Sequence, residues 1–223
     1  MECHRRRTLL SETFRIVNSQ IDMVEQLEAV QRASVPTLAE NELITAAQYA
    51  AHIARFPEGQ FAVLNTDGHV VACSTDFRTS EVDFEHFEHR YMDAVAQNWL
   101  SRHDPQGIWL YGADIGVLPA YRRRGIATRL YQTRHDLVRR LNLQGHVAGG
   151  LLRGFGAYKA TMSADEYVTK VITGEIFDPT LSVQLKCGFT VYGIIYYYVD
   201  DPGCDGKAAF LVWHNPVYVP SPG

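Results

Sequence analysis

The sequence has few of the features that mark secreted, membrane-spanning or nucleic-acid-binding proteins. Its 223 residues include only four cysteines, and no two of them form a Cys-x-x-Cys pair. No stretch approaches the roughly 18 consecutive apolar residues that cross a membrane. The basic start MECHRRRTLL has no apolar run behind it and is not typical of a secretory signal. We therefore expect reduced thiols, no membrane partner and a cytoplasmic location.

The sequence also lacks an excess of positive charge. With 21 basic and 25 acidic side chains the formal net charge is −4, whereas domains that bind nucleic acid are usually basic. The hydrophobic fraction is 46%, which is ordinary for a folded domain and excludes disorder as the main state. We expect one domain over residues 14–219, a flexible N-terminus over 1–13, a short tail over 220–223 and no nucleic-acid partner.

Strand-like and helix-like patterns alternate along the chain. Asp67-Gly68 between two apolar runs predicts a β-hairpin, and Asp22 with Glu25 is typical of a helical capping box. Apolar residues from Phe84 to Trp99 fit one helical stripe. Other strands are expected at 14–17, 60–64, 69–73, 108–117, 146–152, 189–199 and 208–213, and other helices at 46–56, 125–141, 163–173 and 181–187. This order predicts an α/β (α+β) fold with helices on both faces of a sheet.

The most informative segment runs from Asp114 to Thr128. It predicts a buried strand, a short basic loop with three consecutive arginines, and a helix that opens at Gly125. The first amides of a helix are unpaired and its dipole is positive there, so this arrangement favours an anion. Gly125 and the small Ala127 let a ligand approach the backbone. The alternative is a solvated surface turn, because charge runs usually face water.

The loop resembles the phosphate loop of the GNAT acyltransferase superfamily, which reads Gln/Arg-x-x-Gly-x-Gly/Ala. The matching residues are Arg122-Arg123-Arg124-Gly125-Ile126-Ala127, preceded by Val117-x-Pro119. Gln184-Leu185-Lys186-Cys187-Gly188-Phe189 is similar to the family's later helix-to-strand segment. Residues 112–115 and 178–182 resemble a subgroup of GNAT domains sometimes joined to carbon–nitrogen hydrolases. The resemblance implies a mixed, mostly antiparallel central sheet with a splayed central strand.

The resemblance also implies acetyl-CoA, or another acyl-CoA, as the co-substrate. Its pantetheine would pair with the strand around Ile115 to Val117, and its pyrophosphate would lie on the amides that lead into the helix. Gln184 or Ser182 is expected to hydrogen-bond the same molecule. The expected cofactor-binding residues are Ile115, Val117, Arg122, Arg123, Arg124, Gly125, Ile126, Ala127, Thr128 and Gln184.

Asp114 is the candidate catalytic residue. It lies on the strand where the family often places an acidic residue, and a carboxylate buried in that cleft would have a raised pKa suited to deprotonating an amine. The alternative is that Asp114 is structural or only positions the substrate. The family's usual general acid, a tyrosine, is replaced here by Gln184. Tyr192, Tyr196, Tyr197, Tyr198 or solvent could supply the proton instead, although each tyrosine also fits strand packing.

His86 and His89, with Glu85 and Glu88, have the composition of a metal site but not its spacing. Neither His-Glu-x-x-His nor His-x-x-Glu-His is present. The pattern favours an exposed, charged helix face, and a role in the acceptor pocket stays open because the family varies its sequence there. We therefore expect no metal ion.

The sequence as a whole predicts an N-acyltransferase that moves an acyl group from CoA directly to a primary amine of a small molecule or peptide. The missing tyrosine leaves a second interpretation, an acyl-CoA-binding domain without turnover. A third, nucleic-acid binding through Arg5–Arg7 and Arg122–Arg124, is disfavoured by the overall charge. Many relatives of this architecture dimerise, so a homodimer is a further expectation.

Overall fold

A computed structural model describes residues 13–80 and 82–220. The strands are β1 (Arg15–Asn18), β2 (Gln60–Leu64), β3 (Val70–Thr79), β4 (Trp109–Val117), β5 (Gly145–Leu151), β6 (Thr190–Ile195) and β7 (Ala208–His214). The helices are α1 (Val24–Ser34), α2 (Ala46–Arg55), α3 (Tyr91–Ala94), α4 (Ile126–Arg140), α5 (Ala164–Ile172) and α6 (Leu181–Lys186). The predicted N-terminal segment before residue 13 and the end of the predicted tail lie outside the described residues.

The strands form a single seven-stranded sheet in the order β1-β2-β3-β4-β5-β7-β6. Every neighbouring pair is antiparallel except β4 and β5, which run parallel. The long crossover between β4 and β5 contains α4, as a parallel connection requires. The expected mixed and mostly antiparallel sheet is therefore confirmed.

Helices cover both faces of this sheet. Cys73 of β3 lies against Tyr49 of α2, whereas Asp76 of the same strand contacts Arg134 of α4. Because side chains alternate between the two faces of a strand, α2 and α4 lie on opposite sides. Buried aliphatic residues such as Leu130 and Leu137 fix α4 against the sheet, where each contributes about 1.5–3 kcal/mol of hydrophobic free energy.

Several local signals gave the right boundaries. Asp67-Gly68 forms the turn of the β2–β3 hairpin, and Gly68 has the left-handed φ of +84° that such a turn needs. Asn142 follows α4 with a φ of 50°, and Gly188 follows α6 with a φ of 92°. Both are typical of the left-handed residue that ends a helix. Ser163 caps α5 by accepting a hydrogen bond from the backbone of Glu166.

Two expectations were wrong. The Asp22–Glu25 capping box is absent, because a short 3-10 turn over Ile21–Met23 leads into α1 and Met23 is the N-cap. The predicted helix over 84–99 is reduced to α3. Its Phe84 and Phe87 instead pack against Phe210 of β7, with ring centroids 6.1 and 5.0 Å away. Tertiary packing of the aromatic rings overrides their helical spacing.

The three described cysteines, Cys73, Cys187 and Cys204, form no disulfide, and Cys3 lies outside the described residues, as do Arg5–Arg7. Over residues 13–80 and 82–220, none of the helices combines the length and apolar character needed to cross a membrane. The same part of the chain contains no group of three or more histidine, cysteine, aspartate or glutamate side chains placed to hold a metal ion.

Candidate active site

The two parallel strands at the centre of the sheet separate along their length. Trp109 to Gly112 of β4 pair with Gly145 to Ala148 of β5, and the pairing stops there. Beyond that point β4 stays bonded to β3 as far as Val117, and β5 stays bonded to β7 as far as Leu151. A V-shaped gap therefore opens in the sheet, with backbone groups of both strands turned towards it.

A β-bulge accompanies this separation. In the β3–β4 pair, Thr75 faces Asp114 while Asp76 faces Gly112, so Ala113 is an extra residue in β4. The bulge reverses the alternation of side chains. A Cβ at Gly112 would point at α4 and His146, whereas the side chain of Asp114 contacts Tyr49 on the opposite face.

A buried arginine holds the bulge in place. Arg134 of α4 donates hydrogen bonds to the backbone carbonyls of Asp114 and of Thr75, the latter at 3.2 Å. Its Nε atom lies 2.9 Å from the Asp76 carboxylate. Arg134 and Asp76 are both almost completely buried. The pair therefore fixes the geometry of β4 from the face of the sheet that α4 covers.

The N-terminus of α4 lies directly after the basic loop that follows β4. Its hydrogen-bond ladder begins where the Arg129 N–H donates to the Gly125 carbonyl at 3.1 Å. The N–H groups from Gly125 to Thr128 therefore precede the ladder. Gly125 has a φ of +77°, and a Cβ built on it would meet nothing within 4 Å. This turn leaves room for an anion against the amides.

The three arginines of the loop are used differently. Arg122 turns away from the helix and donates to the carbonyls of Val117 and Ser34, at 3.2 and 3.0 Å. Arg124 stacks over the Tyr121 ring and donates to the Ala120 carbonyl at 3.0 Å. Arg123 is exposed, with a φ of 61°. The predicted cluster is thus split between two sides of the loop.

Asp114 lies half-buried beside the gap between β4 and β5. Tyr49 of α2 donates a hydrogen bond to its Oδ2 atom at 3.4 Å. Burial raises the pKa of Asp114 to about 6, and the nearby Arg134 guanidinium and the Tyr49 hydroxyl limit that rise. A carboxyl group with this pKa is ionised at neutral pH yet basic enough to accept a proton from an amine.

Gln184 of α6 faces the other side of the same gap. Its Nε2 atom donates to the Tyr131 hydroxyl at 3.0 Å, whereas its Oε1 atom is buried without a hydrogen-bond partner in the part of the chain that is described. A Cβ on Gly150 of β5 would stand 2.4 Å from this oxygen. Gln184 thus presents an acceptor towards the splayed part of β5.

Two loops meet on the Asp114 side of the gap. Arg153, after β5, donates to the Asp201 carboxylate at 2.5 Å and to the Ser34 carbonyl at 3.1 Å. The segment after α1 meets the segment after β6, where Ala39 donates to the Asp200 carbonyl at 3.0 Å. The buried Glu42 accepts the Asp200 N–H at 2.9 Å. Arg153 is, with Arg134, one of two cations that limit the rise in the pKa of Asp114.

The histidine cluster does not form the expected exposed helix face. His86 is exposed, but His89 is half-buried and its Nε2 atom lies 2.8 Å from the Tyr111 hydroxyl. Of the four tyrosines considered as proton donors, Tyr192, Tyr196 and Tyr197 are exposed. Tyr198 is buried, with its hydroxyl 3.0 Å from that of Tyr111.

The sequence reasoning missed Arg134, Asp76 and the environment of Tyr198. A signal for Arg134 was present, because it falls on the apolar stripe of α4 between Leu130 and Leu137. A buried arginine on such a stripe needs an acidic partner. No comparable signal marks Tyr111, since an aromatic residue in a buried strand is ordinary core.

The split sheet and the helix terminus at its mouth define the class: an acetyltransferase-type acyl-transfer domain. The model described as "Acetyltransferase (GNAT) family" matches residues 24–148, more than half of the chain. The chain belongs to the GNAT family.

Two relatives from Bacillus subtilis (strain 168) are similar in sequence. "Probable hydrolase YhcX" is 37% identical over 174 residues, which are 76% of this chain and 33% of that protein. "Uncharacterized N-acetyltransferase YkwB" is 29% identical over 196 residues, 87% of this chain and 86% of that one. The chain thus spans about a third of YhcX and most of YkwB.

Two solved structures share the fold at low sequence identity. The loading GNATL domain of CurA from Lyngbya majuscula superposes with a TM-score of 0.76 at 18% identity, covering 91% of this chain and 98% of that one. The GphF GNAT-like decarboxylase in complex with isobutyryl-CoA has a TM-score of 0.70 at 18% identity, covering 90% and 99%.

Proposed function

We propose that the protein is an acetyl-CoA-dependent N-acyltransferase that moves the acyl group directly to a primary amine of a small molecule or peptide. The observation that carries this proposal is the arrangement around the split between β4 and β5. A gap with unpaired strand edges, a helix N-terminus at its mouth and a carboxyl group with a pKa of about 6 beside it lie together.

The residues present suit an acyl-CoA. The free edge of β4 from Ala113 to Val117 can pair with the amide groups of pantetheine as an added strand. The amides from Gly125 to Thr128 suit the diphosphate, and the exposed Arg123 adds attraction. The buried Gln184 Oε1 atom lacks a partner among the described residues, which supports an N–H of the ligand as its donor.

Asp114 is our candidate for the general base. It would take a proton from the acceptor amine, whose nitrogen then forms a bond to the thioester carbon as the C–S bond breaks and the thiolate is protonated. A primary amine such as that of lysine is an ammonium ion at neutral pH, so the acceptor must lose a proton before it attacks. We also infer that the protein acts in the cytoplasm and as a homodimer, which analytical ultracentrifugation would test.

The alternative is an acyl-CoA-binding domain without turnover. The position at which the family carries its tyrosine is occupied by Gln184, which donates to Tyr131 and cannot supply a proton in acid catalysis. This observation favours the alternative only if no other group fills the role.

The test is thermal unfolding with acetyl-CoA followed by a CoA-release assay with a panel of amines. A ligand at 100 times its dissociation constant stabilises by about 2.7 kcal/mol, so a clear rise in Tm is expected. No rise at millimolar acetyl-CoA would overturn both proposals. A rise without CoA release would favour the binding domain.

A further inference from the structure

Three side chains form a hydrogen-bonded chain beneath the gap. The Tyr198 and Tyr111 hydroxyls are 3.0 Å apart, and the Tyr111 hydroxyl is 2.8 Å from His89 Nε2. His89 Nδ1 lies 2.7 Å from the Phe87 carbonyl oxygen. Both tyrosines are buried and His89 is half-buried. The hydrogen-bonded series thus links two buried hydroxyl groups to an imidazole.

The hydrogen bonds that link Tyr198, Tyr111 and His89 can point in only one direction when His89 is neutral. The Phe87 carbonyl only accepts, so His89 Nδ1 carries the proton and Nε2 is the acceptor. Tyr111 must then donate to His89, and Tyr198 must donate to Tyr111. Burial lowers the pKa of His89, which keeps the imidazole neutral at pH 7.

Tyr198 and His89, the two ends of this hydrogen-bonded series, lie in different places. The Tyr198 hydroxyl lies against Gly149, the first residue of β5 beyond its pairing with β4, and a Cβ there would be 2.5 Å from that oxygen. His89 lines a cavity of about 700 Å³ whose walls include the exposed Glu85, His86 and Glu88. One end is therefore at the gap and the other at a water-accessible cavity.

The proposed reaction releases a proton. An ammonium ion and a thioester give an amide, a thiol and one H⁺, because the nitrogen loses two protons and the thiolate takes only one. Asp114 can hold one proton during the reaction. The other must leave the active site for bulk water.

We propose that Tyr198, Tyr111 and His89 carry this proton out. As the acceptor ammonium loses a proton to the Tyr198 oxygen, the Tyr198 proton passes to Tyr111 and the Tyr111 proton passes to His89 Nε2. The imidazolium then turns into the cavity, releases its Nε2 proton to water and returns in the Nδ1–H form. Tyr198 is the catalytic residue of this relay, and Tyr111 and His89 act through it. The inference rests on the proposed function.

The charges around His89 come from several elements. Asp93 of α3 raises the pKa of His89, against the larger effect of burial. Tyr111 of β4 and Tyr198 after β6 face its ring. The titratable or charged groups that share the cavity are Asp83, Glu85, His86, Glu88, Asp93 and Arg102. Of these groups, Asp93 is the carboxylate that favours transfer of a proton to the imidazole.

The first test uses three variants in the full chain, with acetyl-CoA and the best amine of the panel. Tyr198→Phe and Tyr111→Phe each break the relay, and kcat is expected to fall by about two orders of magnitude with KM for acetyl-CoA unchanged. His89→Gln keeps both hydrogen bonds, since Nε2–H donates to Phe87 and Oε1 accepts from Tyr111, but it cannot take a proton. It is expected to lower kcat about tenfold and to remove one ionisation from the acid limb of the pH–rate profile.

The matched control is a second tyrosine–histidine pair. The Tyr192 hydroxyl lies 2.9 Å from His214 Nε2 on the surface, and His214→Gln is expected to leave kcat and the pH profile unchanged. If Tyr111→Phe and His89→Gln keep the wild-type kcat and profile, the relay is wrong while the acyltransferase stands. If wild-type protein releases no CoA with any amine, the proposed function fails and the relay with it.

A second measurement does not depend on turnover. Nitrogen NMR of histidine-labelled protein reports which ring nitrogen carries the proton. The Nδ1–H form of His89 is expected, with a shift of the Nε2 signal in Tyr111→Phe. An Nε2–H form at pH 7.5 would mean that His89 donates to Tyr111, and it would overturn the proposed direction of proton transfer.

Discussion

The Arg134 guanidinium lies 2.9 Å from the Asp76 carboxylate, and both side chains are almost fully buried beneath the bulge in β4. The same guanidinium donates to the Asp114 carbonyl. One residue of α4 therefore connects the core to the backbone of the candidate base. The pair is a positioning device for Asp114 as well as a buried ion pair.

Replacing Arg134 by Met should destabilise the protein by about 3–5 kcal/mol, because it leaves the Asp76 carboxylate buried and unpaired. Urea denaturation measures this change. The exposed pair of Arg32 and Glu40, at 2.7 Å, provides the control, since Arg32→Met should leave the midpoint in place. The double variant Asp76→Leu/Arg134→Met should recover part of the loss, and a double variant no more stable than Arg134→Met would contradict this account.

Gly125 gives a prediction about binding. Gly125→Glu places a negative charge at the turn where we expect the diphosphate, and it should abolish the rise in Tm produced by acetyl-CoA. The left-handed φ of +77° adds backbone strain of about 1–2 kcal/mol.

The control for this strain is Gly68→Glu, since Gly68 has a φ of +84° and equally open surroundings in the β2–β3 turn. It should lower the Tm by a similar amount and keep the response to acetyl-CoA. An equal loss of response in both variants would refute the placement of the diphosphate.

The pH dependence of the reaction should report Asp114. Its carboxylate accepts the proton only when ionised, so kcat/KM should fall as the pH drops through about 6, the pKa set by burial. Asp114→Asn should lower kcat/KM by about 10²–10⁴-fold at neutral pH and remove this ionisation. A CoA-release profile that is identical in the variant would exclude Asp114 as the base.

Much of the fold was available from local patterns. The Asp67-Gly68 turn, the strand that ends at Val117 and the helix that opens at Gly125 each follow from short-range rules, and the structure has them at the expected places. The prediction of a helix from Phe84 to Trp99 failed because the spacing of its aromatic residues fits a helix, and it fits equally well a non-helical segment whose rings pack separately into the core. Contacts with Trp109 and Phe210, distant in sequence, decided between them.

The candidate site likewise contains residues that a local motif can select and residues that only the fold brings together. Asp114 and the residues around Gly125 belong to one continuous segment, so a motif could select them. Tyr198 and Tyr111 are 87 positions apart in sequence and meet only because β4 and the end of β6 approach the same gap. The Arg153–Asp201 pair, 48 positions apart, likewise depends on two loops that no local pattern connects.

Asp114 should also cost the protein stability at neutral pH. Its pKa is about 6 in the folded state against 3.8 for an unperturbed aspartate, so the folded protein holds the proton more tightly than the unfolded chain. Protonation of Asp114 therefore stabilises the folded state. This stabilisation is complete below pH 3.8 and is lost as the pH rises to about 6. The whole shift corresponds to about 3 kcal/mol.

Asp114→Asn removes the ionisation and keeps the shape of the side chain. Its free energy of unfolding should therefore exceed that of the wild type above pH 7, and the difference should shrink as the pH falls towards 4. Urea denaturation at pH 4.5, 6 and 8 measures this trend. A constant difference across these values would mean that Asp114 titrates at its ordinary pKa, because only a raised pKa in the folded state makes the gain depend on pH in this direction.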